Sequence, residues 1–271
     1  MADTPFDISD RVIWVTGSSR GVGRGVAEHL AAHGAAVVVY ARRPEALEEV
    51  MAALHALGAP ALAVTADVRD EASVADAVAA IDTRFARLDG GHRKRGRRSL
   101  RSGGVARARQ VPKAARPESH RRLHHGQSAY LRLLASRGAA VLIYATAATK
   151  PTPQFAAYGA AKAATEHLTR SLAEWGPEVR VNCVSPELIR TEGSLKSVFG
   201  GSEDLVARAG RTTAVGRIGE PRDIAQACQY LLSDAAASCR ARCCWWTTDQ
   251  PRDRHSASIA PWRTTDERAE R

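Results

Sequence analysis

Residues 12–23 read VIWVTGSSRGVG, and this stretch decides the fold. The apolar run at 12–15 leads into three glycines, and a helical pattern of apolar residues follows as far as Gly34. The predicted order is therefore strand, glycine turn, helix. Further apolar runs and helical patterns alternate at residues 35–40, 44–57, 61–66 and 71–85. Successive strand–helix–strand units predict an α/β fold with a doubly wound parallel sheet, of Rossmann type and in a single domain.

The size of the chain agrees with this fold. It has 271 residues, 44% of them apolar, so one large domain with a substantial core is possible. No run of eighteen or more uncharged apolar residues occurs, and the start lacks a basic segment followed by an apolar one. We therefore expect a soluble, cytoplasmic protein without a membrane partner. Five cysteines, an odd number, predict reduced thiols.

The glycine turn suits the binding of a pyrophosphate. Backbone amides at the start of a helix can approach this anion only where no Cβ intervenes, and the helix dipole favours negative charge there. A glycine triplet alone is a weak indication, but here it follows a strand and opens a helix. We predict that a dinucleotide is bound by Gly17, Ser19, Arg20, Gly21, Val22 and Gly23.

A second pattern, Tyr158-Gly-Ala-Ala-Lys162, lies in a segment with helical periodicity. Residues four apart share one face of a helix, which brings the phenol near the ammonium group. An unperturbed tyrosine has a pKa near ~10, and a neighbouring cation favours its phenolate. The pair is a candidate acid–base pair, although a tyrosine and a lysine also meet by chance on surface helices.

The sequences TGSSRGVG and YGAAK together resemble the short-chain dehydrogenase/reductase family. The resemblance covers residues 11–88 and 128–237. It implies an oxidoreductase of ketoreductase or dehydrogenase type that interconverts a small-molecule carbonyl and a secondary alcohol. By the same resemblance Tyr158 would donate the proton to the substrate oxygen, and Lys162 would lower the pKa of the phenol and hold the nicotinamide ribose. The family is usually oligomeric, so a homo-oligomer is expected if the chain is correctly encoded.

Further residues match the family in the expected order. Asp67 and Val68 close the third strand, where the family binds the adenine edge with a carboxylate and a backbone amide. Ile189 and Thr191 match the residues that contact the nicotinamide carboxamide. Glu187 stands where the family usually has glycine.

Two arginines indicate which nicotinamide cofactor is used. A 2′-phosphate needs cations after the second strand, where a bare 2′-hydroxyl prefers a carboxylate. That strand is followed by Ala41-Arg42-Arg43, with no acid, and Arg20 precedes the second glycine of the turn. We therefore predict NADP(H). The alternative is that Arg42 and Arg43 are solvated loop charges.

The serine that the family places thirteen residues before its tyrosine is absent. That position is Ala145, and Thr146 follows it. Thr146 is the candidate catalytic hydroxyl, unless residues 145–148 are simply a packed strand end. Losing one such donor typically costs ~10² to 10³ in rate.

The net charge of +10 comes from one segment. Residues 90–127 contain twelve Lys or Arg and one acid, which leaves −1 for the rest of the chain. No fourth strand is apparent there. We predict a Rossmann domain over 1–238, in which an aberrant basic insert at 90–127 replaces the fourth strand and the following helix, and an aberrant tail at 239–271. Without that strand the first and fifth strands would have open edges, and we expect the chain to be poorly folded and inactive.

Two other functions are compatible with these differences from the family pattern. One is a catalytically defective reductase scaffold; the other is binding of a polyanion or nucleic acid through the basic segment, which lacks the interleaved aromatic residues that stack on bases. No metal site is predicted, because Cys239, Cys243 and Cys244 with His255 do not have a familiar zinc spacing.

A shifted reading frame would explain both the basic segment at 90–127 and the tail at 239–271. Codons can be chosen for residues 90–96 that encode VVIANAG one base later, and for residues 238–249 that encode VPGAVLLVDDG two bases later. Both strings resemble the family's sequence at those positions. We predict that sequencing the gene will reveal frame errors bounding 90–127 and near residue 239, and an intact frame at either boundary would contradict this.

Overall fold

Seven strands form the centre of the protein. The computed structural model describes residues 4–42, 44–67, 70–93, 129–150, 155–174 and 176–246. The strands are β1 (Val12–Thr16), β2 (Ala36–Ala41), β3 (Ala61–Thr65), β4 (Gly90–Arg93), β5 (Ala139–Ile143), β6 (Arg180–Pro186) and β7 (Cys243–Trp246). All pairs are parallel, and the order is β3-β2-β1-β4-β5-β6-β7. The order reverses between β1 and β4, so the predicted doubly wound fold is confirmed.

Helices cover both faces of the sheet. In the described chain they are α1 (Gly21–Ala32), α2 (Glu45–Ala56), α3 (Glu71–Phe85), α4 (129–135), α5 (Ala156–Ala173), α6 (Glu192–Val198), α7 (Glu203–Arg211) and α8 (Pro221–Leu232). One buried layer joins α1, α2 and α8 to Ile13 and Val15 of β1. The other joins α3, α4 and α5 to Val12 and Trp14. Strand β1 is therefore apolar on both faces, as its continuous apolar run predicts.

The fourth strand differs from the prediction. The sequence predicts no strand between residues 90 and 127, but Gly90–Arg93 pairs with both β1 and β5, so neither has the expected open edge. The prediction is wrong because backbone amides and carbonyls make the ladder, and every residue except proline supplies both. Glycine also lacks a side chain that could obstruct the gap between two strands. Residues 94–128 lie outside the described chain.

Asp89 determines where β4 begins. Its buried carboxylate accepts hydrogen bonds from the Val12 amide at 2.9 Å and from the Arg87 guanidinium at 2.7 and 2.8 Å. This hydrogen bonding raises the pKa of Arg87. The Asp89 amide donates to the Val12 carbonyl, and the Asp89 carbonyl accepts from the Ala139 amide, both at 2.9 Å. One residue therefore ties β1, β4 and β5 together, and the Arg87 charge offsets the cost of burying the carboxylate.

The predicted tail at 239–271 is wrong for its described part. Cys243–Trp246 forms β7, the outer strand next to β6. Asn182 supports this pairing: its side-chain amide donates to the Cys239 carbonyl at 2.8 Å, and its side-chain oxygen accepts from the Arg242 amide at 3.0 Å. The sheet therefore continues beyond residue 238, to residue 246. Residues 247–271 are outside the described chain.

The two glycines of β4 have different surroundings. An added Cβ at Gly90 would lie 2.9 Å from Leu232 Cδ2 and 3.2 Å from Ile13 Cγ1. An added Cβ at Gly91 would have no atom of the described residues within 4 Å. An apolar cavity of about 80 Å³ lies on the Gly91 side, and its lining includes Trp14, Leu133, Leu142, Leu168 and Leu172. Among the described residues, the sheet is therefore tightly packed on the Gly90 side of β4 and leaves space on the Gly91 side.

We predict that Gly91→Val stabilises the protein by about 1–2 kcal/mol, because it removes the conformational cost of glycine and buries two methyl groups in the cavity. The matched variant Gly90→Val should be neutral or destabilising by up to about 3 kcal/mol, because it overpacks a filled site. Urea unfolding of both variants measures the difference. Equal effects would contradict the packing described here.

Candidate active site

Three glycines shape the loop between β1 and α1 and the first turn of that helix. Gly17 and Gly21 have φ of 69° and 56°, in the left-handed region that favours glycine. A Cβ at Gly23 would lie 2.2 Å from the Gly17 carbonyl oxygen. The backbone therefore requires glycine at all three predicted positions, and it stays open to a ligand at the start of α1.

Helix α1 begins without a capping side chain. Arg20, the residue before it, is extended and makes no capping hydrogen bond, and the first turn contains no acid. The first amides of a helix have no partner within the helix, and the dipole attracts an anion to this end. Ser18 holds the loop in place, because its hydroxyl accepts from the Tyr40 amide at 2.9 Å. The arrangement fits a pyrophosphate.

The other residues predicted to bind the cofactor lie along the same edge of the sheet. Arg20 is in the loop after β1, and Arg42 follows β2, the adjacent parallel strand; both are exposed. Ser19, in the first loop, and Asp67, after β3, are half-buried. Val68 lies outside the described residues.

The predicted catalytic pair lies on α5. Lys162 is 3% exposed, and its Nζ donates to the Ile143 carbonyl at the end of β5, at 3.0 Å. The same Nζ is 5.6 Å from the centre of the Tyr158 ring, and Tyr158 is half-buried. The structure therefore brings the phenol and the cation together, as their spacing predicts. A cation at this distance favours the phenolate form of the tyrosine.

A close contact positions α5 against the turn that carries Thr146. Thr146–Ala148 forms a short 3-10 helix directly after β5, and Thr146 is buried. A Cβ at Gly159 would lie 2.4 Å from the Ala147 carbonyl oxygen, so only glycine permits this approach. Ala145, at the position of the family's serine, is extended and buried. Thr146 therefore lies beside the helix that carries Tyr158.

The loop after β6 is ordered by its own contacts. Ile189 is buried and forms an isolated parallel bridge with Gly219. Thr191 caps α6: its hydroxyl accepts from the Ser194 amide at 3.1 Å, and its amide donates to the Ser194 hydroxyl at 2.8 Å. In the described chain, non-glycine residues with positive φ are Asp10, Ala86, Arg137 and Ala241. Glu187 therefore replaces the family's glycine without a left-handed backbone.

The sequence analysis did not identify an ion pair across these loops. Lys150 Nζ lies 3.1 Å from a carboxylate oxygen of Glu187. The two residues are 37 positions apart, and no pattern in a single sequence links them. The sequence signal for this ion pair is weak, because it consists of two opposite charges in the loops that follow neighbouring strands.

Comparisons with known proteins agree with this geometry. The protein-family model described as Enoyl-(Acyl carrier protein) reductase matches residues 17–244. The A-factor type gamma-butyrolactone 1'-reductase (1S-forming) of Streptomyces virginiae is 33% identical over 251 residues, which cover 88% of this chain and 94% of that protein. The D-threitol dehydrogenase of Mycolicibacterium smegmatis is 31% identical over 246 residues, covering 87% and 90%.

A solved structure agrees as well. A short-chain type dehydrogenase/reductase from Mycobacterium ulcerans superposes with a TM-score of 0.79 at 30% identity, covering 88% of each chain. A sheet with this order, a glycine cradle before α1 and a Tyr–Lys pair on α5 define a nucleotide-dependent oxidoreductase. The chain belongs to the short-chain dehydrogenase/reductase family.

Two further findings concern partners. None of the helices in the described residues is long and apolar enough to cross a membrane. The described ranges also contain no group of three or more His, Cys, Asp or Glu that could hold a metal ion, and His255 lies outside them.

We predict that Gly159→Ala lowers kcat by about 10- to 100-fold, because the new methyl group displaces α5 from the Thr146 turn and misaligns the reacting groups. Binding of the nucleotide, measured by fluorescence titration, should be affected less than kcat, since the glycine cradle lies outside α5. Ala160→Ser, at an exposed position of the same helix, is the control. An unchanged kcat in Gly159→Ala would show that this contact does not position the site.

Proposed function

We propose that this chain is an NADP(H)-dependent oxidoreductase that interconverts a carbonyl and a secondary alcohol. The observation that carries the proposal is the buried Lys162 ammonium beside the Tyr158 ring, at the edge of the sheet where the glycine cradle lies. Relatives named as a reductase and as a dehydrogenase support reaction in either direction.

The residues present fit a nicotinamide dinucleotide. The cradle of Gly17, Gly21 and Gly23 would accept its pyrophosphate, because its backbone requires glycine at these positions and no Cβ obstructs the approach of the anion. Ile189 and Thr191 would contact the carboxamide, and Asp67 with Val68 the adenine edge. When bound, the cofactor supplies or accepts the hydride.

Tyr158 acts as the general acid in reduction. Its hydroxyl donates a proton to the oxygen of the substrate as negative charge develops there, which is worth about 10² to 10⁴ in rate. Lys162 stabilises the phenolate that remains, because its cation is held beside the ring by the Ile143 carbonyl. In oxidation the same phenolate takes the proton back. The hydroxyl of Thr146 is proposed to donate a second hydrogen bond to the substrate oxygen.

The preference for NADP(H) over NAD(H) is proposed from charge. Arg20 and Arg42 are exposed in the loops after two adjacent strands, so both guanidinium groups can reach an anion beside the adenosine ribose. No acidic residue follows β2 in that loop. Hydrogen bonds to a charged phosphate are among the stronger ones.

From the sequence we also propose that the enzyme is cytoplasmic and forms a homo-oligomer. The basic segment on which the polyanion-binding alternative depends lies mostly outside the described residues.

We predict that the chain oxidises NADPH with a panel of aldehydes and ketones, and that Tyr158→Phe lowers kcat by about 10² to 10⁴ while NADPH binding persists. The control is Tyr230→Phe, which removes a hydroxyl on α8 that contacts Cys239 Sγ. Turnover retained in Tyr158→Phe would contradict the mechanism. A folded wild-type chain that binds NADPH but turns over no carbonyl would support the defective scaffold instead.

Cofactor preference is tested by Arg42→Asp. Loss of a charge-assisted hydrogen bond to the 2′-phosphate should raise KM for NADPH by about 10- to 100-fold, and NADH should be affected much less. Arg24→Gln is the matched control, because that guanidinium is already held by Glu28 and Glu49 on α1 and α2. Equal effects on both cofactors would exclude recognition of the phosphate by Arg42.

A further inference from the structure

Two loops leave neighbouring strands at the edge where the site lies. One follows β5 and carries Thr146, and the other follows β6 and carries Ile189 and Thr191. The β5–β6 ladder extends as far as the Tyr144 amide, which donates to the Val184 carbonyl at 3.1 Å. Beyond that hydrogen bond, the ladder no longer sets the distance between the described parts of these loops.

The Lys150–Glu187 ion pair joins the loops at this point. The Nζ–Oε1 distance is 3.1 Å, and the two side chains are 30% and 26% exposed. The Lys150 amide donates to the Thr146 carbonyl at 2.9 Å, so the cation belongs to the same turn as the candidate catalytic hydroxyl. Glu187 directly follows β6 and is two residues from Ile189.

Each loop is also anchored on its own side. The Thr146 turn packs against Gly159 of α5, and Ile189 is bridged to Gly219, whose carbonyl also accepts from the Arg190 amide at 2.7 Å. Two separately anchored units are thus connected by opposite charges that are partly shielded from water. Such a contact fixes a distance more effectively than it stabilises a fold, since half-exposed pairs contribute little to stability.

We infer that Lys150 and Glu187 are positioning residues, whose ion pair sets the separation between the substrate loop after β5 and the nicotinamide loop after β6. The inference rests on the proposed function, in which Thr146 contacts the substrate and Ile189 the nicotinamide. The separation of the two loops then sets the distance between the substrate and the nicotinamide. Displacements well below 1 Å between reacting groups change rates measurably, so the pair acts on kcat rather than on binding.

The test compares Glu187→Gln, Lys150→Gln and the charge-reversed double variant Lys150→Glu/Glu187→Lys. Each single variant should lower kcat by about three- to five-fold, the scale of a partly exposed ion pair, with KM for NADPH and the melting temperature nearly unchanged. The reversed pair should recover most of the lost kcat. Glu49→Gln, which removes the exposed carboxylate of the Arg24–Glu49 ion pair between α1 and α2, away from both loops, is the matched control and should keep the wild-type kcat.

Three kinetic results would overturn the inference: wild-type kcat in both single variants, no recovery in the reversed pair, or a loss confined to Lys150→Gln, which would mean that this lysine contacts the substrate itself. Hydrogen–deuterium exchange supplies a readout without turnover. Glu187→Gln should raise exchange both at 146–150 and at 188–191, and unchanged exchange at either loop would also overturn it. If the wild type reduces no carbonyl, the proposed function fails, but the exchange experiment still decides whether the pair couples the loops.

Discussion

The buried carboxylate of Asp89 is the interaction on which the rest of the molecule depends. It binds the Val12 amide, while the backbone of the same residue pairs with Val12 and Ala139. The glycine loop follows β1 and the Thr146 turn follows β5, so the register set at Asp89 also sets the relative positions of these two halves of the site. A side chain at the amino end of the sheet thereby controls geometry at the carboxyl end, across a strand of only four residues.

The parts of the fold that could be predicted are those that a local sequence pattern encodes. β1 and β2 are continuous apolar runs buried on both faces, and α5 has an apolar stripe at helical spacing, so local pattern was sufficient for them. The segment Gly90–Arg93 lies in a stretch whose composition indicates no strand, and Cys243–Trp246 lies in the stretch that the sequence analysis assigned to an aberrant tail. Their conformation follows from the hydrogen-bonding groups of β1, β5 and β6, which a sequence pattern does not record.

In the candidate site, too, the local spacing of residues was predictable, whereas the contacts between distant residues were not. Tyr158 and Lys162 are four residues apart and were predictable from helical geometry, as were the glycines before α1. The contacts that position them join distant residues: Lys162 to the Ile143 carbonyl, and Gly159 to Ala147. Thr191 illustrates a different limit, because a resemblance assigns it to the cofactor whereas the structure also uses its hydroxyl to begin α6.

The lysine of the pair has two tasks at once. By donating to the last carbonyl of β5, Lys162 joins the helix that carries Tyr158 to the sheet from which the Thr146 turn continues. At β4, backbone pairing with β1 and β5 sets the place of the strand. The position of the four-residue β4 therefore depends on its neighbours, whereas the anchoring of α5 to the sheet depends on one lysine side chain.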